Sequence, residues 1–308
     1  MSSTNNPEES INSSNPGTTP SKYSWLTFSI LTIILWGTWG ALISIPEGNN
    51  FPAELGFIMW ALSMGVTAFF ALKSANFQLD KSVFSIIFGS IIGLLGGIGQ
   101  LILYSGAIAN GPAYLIFPII ALAPVVTILM SLVLLKERAG KKGWIGITLA
   151  LIAVPFLNYS EPDAASEYSG WLLYALLVFL AWGVQGYFIK YANEKIAAES
   201  IFFYMALTSL LLCPIAWFMV DSPASANWSW DGAGLAFIIG LLNSFGALFL
   251  VFAFRYGKAI VVSPLVNCLP PIITSILSLI MLSVLPAPIV AIGMLIALVS
   301  AYFLAFDN

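Results

Sequence analysis

The chain has 308 residues, of which 59% are apolar and only 8% are charged, and its formal net charge is −3. Soluble globular domains carry about 25% charged residues, so this composition excludes a soluble protein and indicates an integral membrane protein. The sequence has no histidine, and its two cysteines, Cys213 and Cys268, lie in apolar stretches. No metal site, cofactor site or disulfide framework is therefore predicted.

The chain begins with a polar tail and continues with apolar runs. Residues 1–23 are mostly polar residues, Pro and Gly, which predicts a disordered tail. Later runs are long enough for a bilayer core about 30 Å thick, and charged residues, Gly and Pro divide them. The predicted fold class is an all-α integral membrane protein with ten transmembrane helices. The ten predicted spans are 24–46, 52–72, 83–107, 112–135, 143–158, 170–190, 201–220, 232–254, 259–282 and 286–305.

The charges in the loops favour ten spans over the alternatives of nine or eleven. If the chain crosses the membrane at each predicted span, all 11 Lys and Arg residues fall on one side, which we call the basic side. Loops of the opposite, acidic side carry acidic residues such as Glu47, Asp221 and Asp231. Cytoplasmic loops are enriched in Lys and Arg, so both termini are predicted to be cytoplasmic. The predicted location is the cytoplasmic (inner) membrane.

Sequence motifs recur at a spacing of 146 or 147 residues. The motif LWGTWG at 35–40 has the counterpart AWGVQG at 181–186. The string IIGLL occurs at both 91–95 and 238–242. Matches at one common spacing indicate that the chain consists of two homologous halves.

The predicted halves are residues 24–158 and 170–305, and each contains five spans. Because five is an odd number, the second half enters the membrane from the opposite side. The two halves then form an inverted repeat, an architecture that recurs in secondary transporters because two similar halves can rock about a central site.

Prolines interrupt the apolar runs at corresponding places in the two halves. Pro118 and Pro124 lie in span 4, and Pro264 and Pro270 lie in span 9. A proline inside a span leaves a backbone carbonyl without its donor, which is tolerated only where protein groups or water satisfy it. Corresponding interruptions in two repeats point to a binding site in the middle of the membrane. We predict that these four prolines break the helices and take part in gating.

A small set of polar and aromatic residues near these interruptions forms the predicted substrate site. Spacings of three or four residues, as between Ser263 and Asn267, place pairs on one helix face. The alternative interpretation is interhelical hydrogen bonding alone, which is worth about 0.6 to 2 kcal/mol. The set favours a site because the repeat brings its helices together. The predicted site residues are Trp36, Gln100, Tyr104, Phe117, Trp182, Gln185, Asn243, Ser263 and Asn267.

No charged residue lies near the middle of a predicted span. A buried proton-coupling carboxylate and a strongly anionic substrate held by Arg or Lys are therefore not expected. Glu54 at the start of span 2 is the nearest candidate for coupling, although an interfacial carboxylate is the favoured interpretation. Lys190 and Arg255 are expected to extend to the headgroups. An uncharged cavity with amides and aromatic rings fits a small neutral or zwitterionic solute.

The stretch PVVTILMSLVLLKERAGKKGWIGITLALIAV, residues 124–154, resembles the EamA-like branch of the drug/metabolite transporter superfamily. The matching features are Pro124 in span 4, the Glu137-Arg138 pair at its basic end and Gly146 in span 5. The resemblance implies ten helices and a central cavity lined mostly by helices 1, 3, 4, 6, 8 and 9. The second half has MLSVLPAP where a Glu-Arg pair would fall. We therefore expect Glu137 to have a structural role at a helix end.

The same resemblance places the helices of spans 5 and 10 at the periphery. Span 10 carries Gly293, Ala297 and Ala301 at a spacing of four, which is typical of a helix-packing face. A homodimer through spans 5 and 10 is left open.

The predicted function is secondary transport of a small neutral or zwitterionic metabolite, such as an amino acid, by alternating access. The expected partners are this small molecule and the lipid bilayer, and no nucleic acid is expected. One alternative is a sensor or receptor that kept the transporter fold. The other alternative is a membrane enzyme that modifies a lipid. It is weaker because such chemistry calls for clustered acids, histidines or metal ligands, whereas the loops carry only scattered acids.

Overall fold

The computed structural model describes five segments of the chain, and every regular element in them is helical. The segments are residues 23–103, 119–157, 159, 171–282 and 287–306. The predicted site residues Tyr104 and Phe117, together with Pro118, lie outside the described residues, as do residues 1–22 of the predicted tail. The helical structure of the described segments agrees with the all-α part of the predicted fold class.

The α-helices of the described segments are numbered α1 to α13 in chain order. The first part of the chain contains α1 Ser24–Leu42, α2 Ile45–Gly48, α3 Ala53–Ser74, α4 Val83–Ile102, α5 Pro124–Leu134 and α6 Lys141–Leu157. The second part contains α7 Trp171–Asn193, α8 Ala198–Leu211, α9 Cys213–Phe218, α10 Leu235–Tyr256, α11 Ala259–Cys268, α12 Pro270–Leu282 and α13 Pro288–Ala305. A π-helical turn, Trp230–Gly234, leads into α10.

Seven helical segments of the described structure are long and apolar enough to cross a membrane. They are α1 with α2, α3, α4, α7, α8 with α9, α10 with its π-helical turn, and α13. Spans 4, 5 and 9 correspond to shorter helices, namely α5, α6 and the pair α11 and α12. The chain is therefore a multi-pass membrane protein, and the count of ten spans stays a prediction.

Two helix breaks lie at corresponding places in spans 4 and 9. α5 begins at Pro124 after a turn at 122–123, and α12 begins at Pro270 directly after α11. The predicted break at Pro264 was wrong, because this residue lies inside α11. One proline removes a single backbone donor, whereas Pro270 and Pro271 remove two consecutive donors, so the helix breaks before that pair.

The first long helix of each half packs against helices of the other half. α1 contacts α10 and α12, and its counterpart α7 contacts α4 and α5. α3 contacts both α8 and α10. The two halves are thus interleaved, and the space between them lies near the middle of the molecule.

α6 and α13 pack on each other through small residues. Gly293 lies against Phe156 in α6, and Gly146 in turn lies against Leu304 in α13. Ser300 Oγ donates a hydrogen bond to the Gly146 carbonyl oxygen at 2.8 Å. The small-residue face of span 10 is therefore occupied within the chain, and a homodimer through spans 5 and 10 stays a prediction that concerns their outer faces.

Hydrogen bonds join loops that the charge pattern places on the basic side. Lys258 Nζ donates to the carbonyl oxygen of Arg138 at 3.0 Å. A guanidinium nitrogen of Arg255 donates to the carbonyl oxygen of Ile196, also at 3.0 Å. The loop before α11 is thus tied to the loop after α5, and the last turn of α10 is tied to the loop after α7.

Glu137 caps a helix of the other half. Its Oε1 and Oε2 accept hydrogen bonds from the backbone N–H groups of Ala259 and Ile260, each at 3.1 Å. These are the first two residues of α11, whose N–H groups have no acceptor within the helix. The carboxylate also lies at the positive end of the helix dipole. The expected structural role of Glu137 at a helix end is therefore exerted on a helix more than 120 residues away.

Candidate functional site

A cavity of about 450 Å³, the central cavity, lies among helices of both halves. Its wall includes residues of α1, α3, α4, α5, α7, α8, α10, α11 and α12. The predicted site residues found in the wall are Trp36, Gln100, Trp182, Gln185, Asn243, Ser263 and Asn267, with Pro124 and Pro270 beside them. The structure thus brings all the described members of the predicted set to one place. Their role in substrate binding stays a prediction.

The two tryptophans of the repeated motif donate hydrogen bonds to corresponding helices of the opposite halves. Trp36 Nε1 donates to the carbonyl oxygen of Asn243 in α10 at 3.1 Å. Trp182 Nε1 donates to the carbonyl oxygen of Gly96 in α4 at 3.4 Å. The two acceptors are 147 residues apart, so the same bond occurs twice with the halves exchanged.

Each of these indoles also lies on a glycine. The Trp36 ring contacts Gly246 and the Trp182 ring contacts Gly99. A Cβ atom on either glycine would collide with the ring that lies on it. Glycine is therefore required at both positions if the tryptophans keep their places in the cavity wall.

The glycine after each tryptophan contacts the broken helix of the opposite half. Thr274 Oγ1 in α12 donates to the carbonyl oxygen of Gly37 at 2.8 Å, and Thr127 Oγ1 in α5 donates to that of Gly183 at 2.8 Å. A Cβ on either glycine would approach backbone atoms at the helix break. The Trp-Gly motif occurs twice because each copy places an indole on one helix and bare backbone against another.

In Gln185 and Asn243, an interhelical hydrogen bond uses one end of the side-chain amide. Gln185 Nε2 donates to the carbonyl oxygen of Ile92 at 3.0 Å, and its Oε1 has no partner among the described residues. Asn243 Oδ1 accepts from Trp60 Nε1 at 2.7 Å, which leaves Asn243 Nδ2 without an acceptor in the same part of the chain. Of the two interpretations weighed from the sequence, the helix contact is present for both side chains, and the binding site stays a prediction.

Other polar side chains in the wall make fewer hydrogen bonds. Gln100 is 8% exposed and Ser263 is 3% exposed, and neither side chain makes a hydrogen bond within the described structure. Asn267 Nδ2 donates to the carbonyl oxygen of Ser263 at 2.8 Å, and Asn267 Oδ1 has no hydrogen-bond partner among the described residues. Burying a polar group without a partner is costly. The cavity therefore offers unpaired donors and acceptors to water or a solute.

The described residues in the wall of the central cavity are all uncharged. Lys190, which we expected to extend to the headgroups, instead donates from Nζ to the carbonyl oxygen of Phe254 at 3.1 Å. This carbonyl belongs to the last turn of α10, where backbone acceptors lack a helical donor. Since Phe254 lines the cavity, this bond holds α7 against α10 at the end of the cavity that faces the basic side.

Sequence reasoning missed several residues of the cavity wall. Trp39 and Trp60 line the cavity, and so do Thr127 and Thr274. Trp60 lies in the middle of span 2, so the argument applied to the other mid-span tryptophans could have identified it. The two threonines are 147 residues apart, which is the spacing of the repeat.

Comparisons with known proteins agree with these features. The family model for the EamA-like transporter family matches the chain twice, at residues 23–159 and 169–306. The pseudopaline exporter CntI of two Pseudomonas aeruginosa strains is 24% identical over 243 residues, which cover 78% of this chain and 81% of the exporter. The low affinity potassium transport protein Kup of Yersinia pseudotuberculosis is 24% identical over 61% of this chain, but only 30% of Kup is covered.

A protein of known crystal structure has the same fold. Its TM-score is 0.75 at 16% sequence identity, and the match covers 92% of this chain and 96% of that chain. The two family matches confirm the resemblance noted from the sequence. This chain belongs to the EamA-like transporter family of the drug/metabolite transporter superfamily, and it is a membrane transporter of a small molecule.

Proposed function

We propose that this protein is a secondary transporter that carries a small neutral or zwitterionic organic metabolite, of the amino-acid type, through the central cavity. It works by alternating access in the cytoplasmic membrane, with both termini in the cytoplasm. Ten spans form two inverted five-helix repeats, 24–158 and 170–305. The site residues are those predicted from the sequence, together with Trp39 and Trp60.

This proposal rests on polar groups in the cavity wall that lack hydrogen-bond partners in the described structure. Among the residues that the structure describes, the buried side chains of Gln100 and Ser263 and the Oδ1 of Asn267 have no hydrogen-bond partner, and the described wall holds no charge. A solute with hydrogen-bonding groups and little net charge can satisfy these atoms. A strongly anionic solute would find no basic side chain in the described wall.

The exchanged contacts of the two halves support the inverted repeat. Trp36 in the first half lies on Gly246 in the second half, and Trp182 in the second half lies on Gly99 in the first. A two-fold axis in the membrane plane would exchange the two halves and so relate these two contacts to each other. Corresponding contacts of equal kind also permit two arrangements of similar energy, which alternating access requires.

The test combines binding and flux. The purified protein in detergent is melted in the presence of neutral amino acids, sugars, nucleosides and amines, because a ligand that binds only the folded state stabilises it by about 2.7 kcal/mol at a hundredfold excess over Kd. Solutes that raise the melting temperature are then assayed for uptake into proteoliposomes. The substitution Asn267→Ala removes a hydrogen bond to the solute and should weaken its affinity about tenfold or more. At the same solute concentration the stabilisation should then fall from about 2.7 to about 1.4 kcal/mol or less, and uptake should fall with it.

The control is Gln78→Ala, which removes an exposed amide from the loop between α3 and α4. This variant should melt, bind and transport as the unsubstituted chain does. Stabilising solutes that never cross the bilayer would instead favour the sensor or receptor function. Unchanged uptake in both Asn267→Ala and Trp182→Ala would contradict the proposed site.

A further inference from the structure

A second cavity, of about 570 Å³, adjoins the central one on the acidic side. The two cavities share wall residues, including Trp39, Trp60 and Gln100. The rest of the second wall comes from α2, the start of α3 and the start of α10, and it contains Glu47 and Glu54. We call this cavity the acidic vestibule and define it by these five residues.

No basic side chain compensates the negative charge in the described wall of the acidic vestibule. Its described wall contains two carboxylates and no Lys or Arg. Neither Glu47 nor Glu54 forms an ion pair or a side-chain hydrogen bond with the residues that the structure describes. Glu47 is exposed and Glu54 is half-buried. A cleft lined by one sign of charge between low-dielectric walls concentrates ions of the opposite sign.

An unpaired amide lies where the two cavities meet. Gln100 is 92% buried, lines both cavities and has no hydrogen-bond partner in the described structure. The half-buried indoles of Trp39 and Trp60 line both cavities as well. A polar group and two aromatic surfaces therefore continue from the charged vestibule into the uncharged cavity.

We propose that the acidic vestibule is a second binding site, specific for the ammonium group of a small organic amine. Carboxylates attract the charge, and indole faces bind ammonium groups through cation–π contacts. An inorganic divalent ion fits less well, since Ca²⁺ takes six to eight oxygen ligands and the described wall supplies two carboxylates. The inference rests on the proposed transport function and narrows its substrate class to solutes that carry an ammonium group, such as zwitterions and amines.

The experiment measures binding rather than transport, with two probes of the same shape. Choline carries a quaternary ammonium group, and 3,3-dimethylbutan-1-ol is its uncharged isostere. Each is titrated calorimetrically into the purified protein in an uncharged detergent. Choline should bind about tenfold or more tightly than the alcohol, and raising NaCl from about 50 to 500 mM should weaken only choline binding.

Substitutions locate the site. Glu47→Gln and Glu54→Gln should each weaken choline binding about three- to tenfold, and the double variant should bind choline no better than the alcohol. Glu54→Asp keeps the charge and should retain most of the affinity. The matched control Glu194→Gln removes an exposed carboxylate outside both cavities and should change nothing. Equal melting temperatures would show that the variants fold.

The outcomes separate this inference from the proposed function. Equal affinity for choline and the alcohol, or unchanged choline binding in the double variant, would overturn the inference. Loss of choline binding in Asn267→Ala but not in the double variant would place the ammonium site in the central cavity, which contradicts the inference and leaves the transport function standing. Choline binding that depends on Glu47 and Glu54, without flux of any solute, supports the vestibule site and contradicts transport.

Discussion

At the level of single residues, the contacts of the repeated tryptophans determine the geometry around the central cavity. Trp36 lies on Gly246 and Trp182 lies on Gly99, and each ring leaves no room for a side chain on its glycine. Thus the glycines act through close packing, whereas the tryptophans supply both the packing surface and the cavity wall. Close packing and the lining of the cavity are therefore properties of one contact.

The contact between Trp36 and Gly246 leads to a prediction about the stability of the folded protein. Gly246→Ala should lower the free energy of unfolding by about 1 to 3 kcal/mol, because the new methyl group must displace Trp36 in a closely packed wall. The matched control is Gly56→Ala in α3, where a Cβ would meet no atom within 4 Å. There the better helix propensity of alanine should leave stability unchanged or raise it by up to about 1 kcal/mol. Melting temperatures in detergent measure both changes, and a fall of equal size in the two variants would contradict the packing argument.

At the level of helices, the ends of α5, α11 and α12 are held by groups distant in the sequence. Glu137 satisfies the first two N–H groups of α11, and Thr127 and Thr274 bond α5 and α12 to the carbonyls of Gly183 and Gly37. Spans 4 and 9 consist of short helices with backbone breaks. The Glu137 carboxylate accepts from N–H groups that have no acceptor within α11, and the threonine hydroxyls tie α5 and α12 to the first long helix of the opposite half. The broken helices are thereby held beside the cavity by the opposite half.

Removing the cap of α11 should lower the free energy of unfolding. Glu137→Gln keeps the size of the side chain but replaces one acceptor by a donor and removes the charge at the positive helix end. We expect a loss of about 1 to 2 kcal/mol in the free energy of unfolding, measured by melting or by titration with a denaturing detergent. Glu194→Gln, which alters an exposed carboxylate, serves as the control. A melting temperature of Glu137→Gln that equals the control value would contradict the capping role.

At the level of the whole molecule, separate contacts hold the two sides of the protein. On the basic side, Lys258 joins two loops and Arg255 joins the last turn of α10 to the loop after α7. On the acidic side, Asn227 Nδ2 donates to the carbonyl oxygen of Asn49 at 3.0 Å, which links the loop before α3 to the loop before α10. Each of these three bonds joins parts of the chain that the distribution of Lys and Arg predicts to lie on the same side.

The orientation of these two sides can be measured in cells. Gln78→Cys places a thiol in an exposed loop of the basic side, and Ser225→Cys places one in an exposed loop of the acidic side. A membrane-impermeant maleimide should label Ser225→Cys in intact cells but Gln78→Cys only after permeabilisation, since the positive-inside rule places the basic side in the cytoplasm. Cys213 is half-buried and Cys268 is buried, so the unsubstituted chain supplies the background. The reverse labelling pattern would contradict the predicted orientation.

Composition and spacing were enough to predict the class of this protein and several residues of its cavity wall. Hydropathy reports the membrane environment because the cost of placing polar groups in lipid depends on each residue itself. The 146-residue spacing of the Trp-Gly motif likewise requires no knowledge of contacts. For this reason Trp36, Trp182 and Asn243 could be assigned to one region before any helix was placed.

Tertiary packing decided which atoms of those residues remain free and which helices hold them. Nothing local to Asn243 indicates that Trp60 uses its Oδ1, and nothing local to Glu137 indicates that it caps α11. Pro264 stayed inside a helix because the double proline after it was the weaker point, and the acidic vestibule exists because α2 and α3 place Glu47 and Glu54 beside α10. Partners far apart in the chain are chosen by the packing of whole helices, and this information is spread over many side chains rather than contained in any one motif.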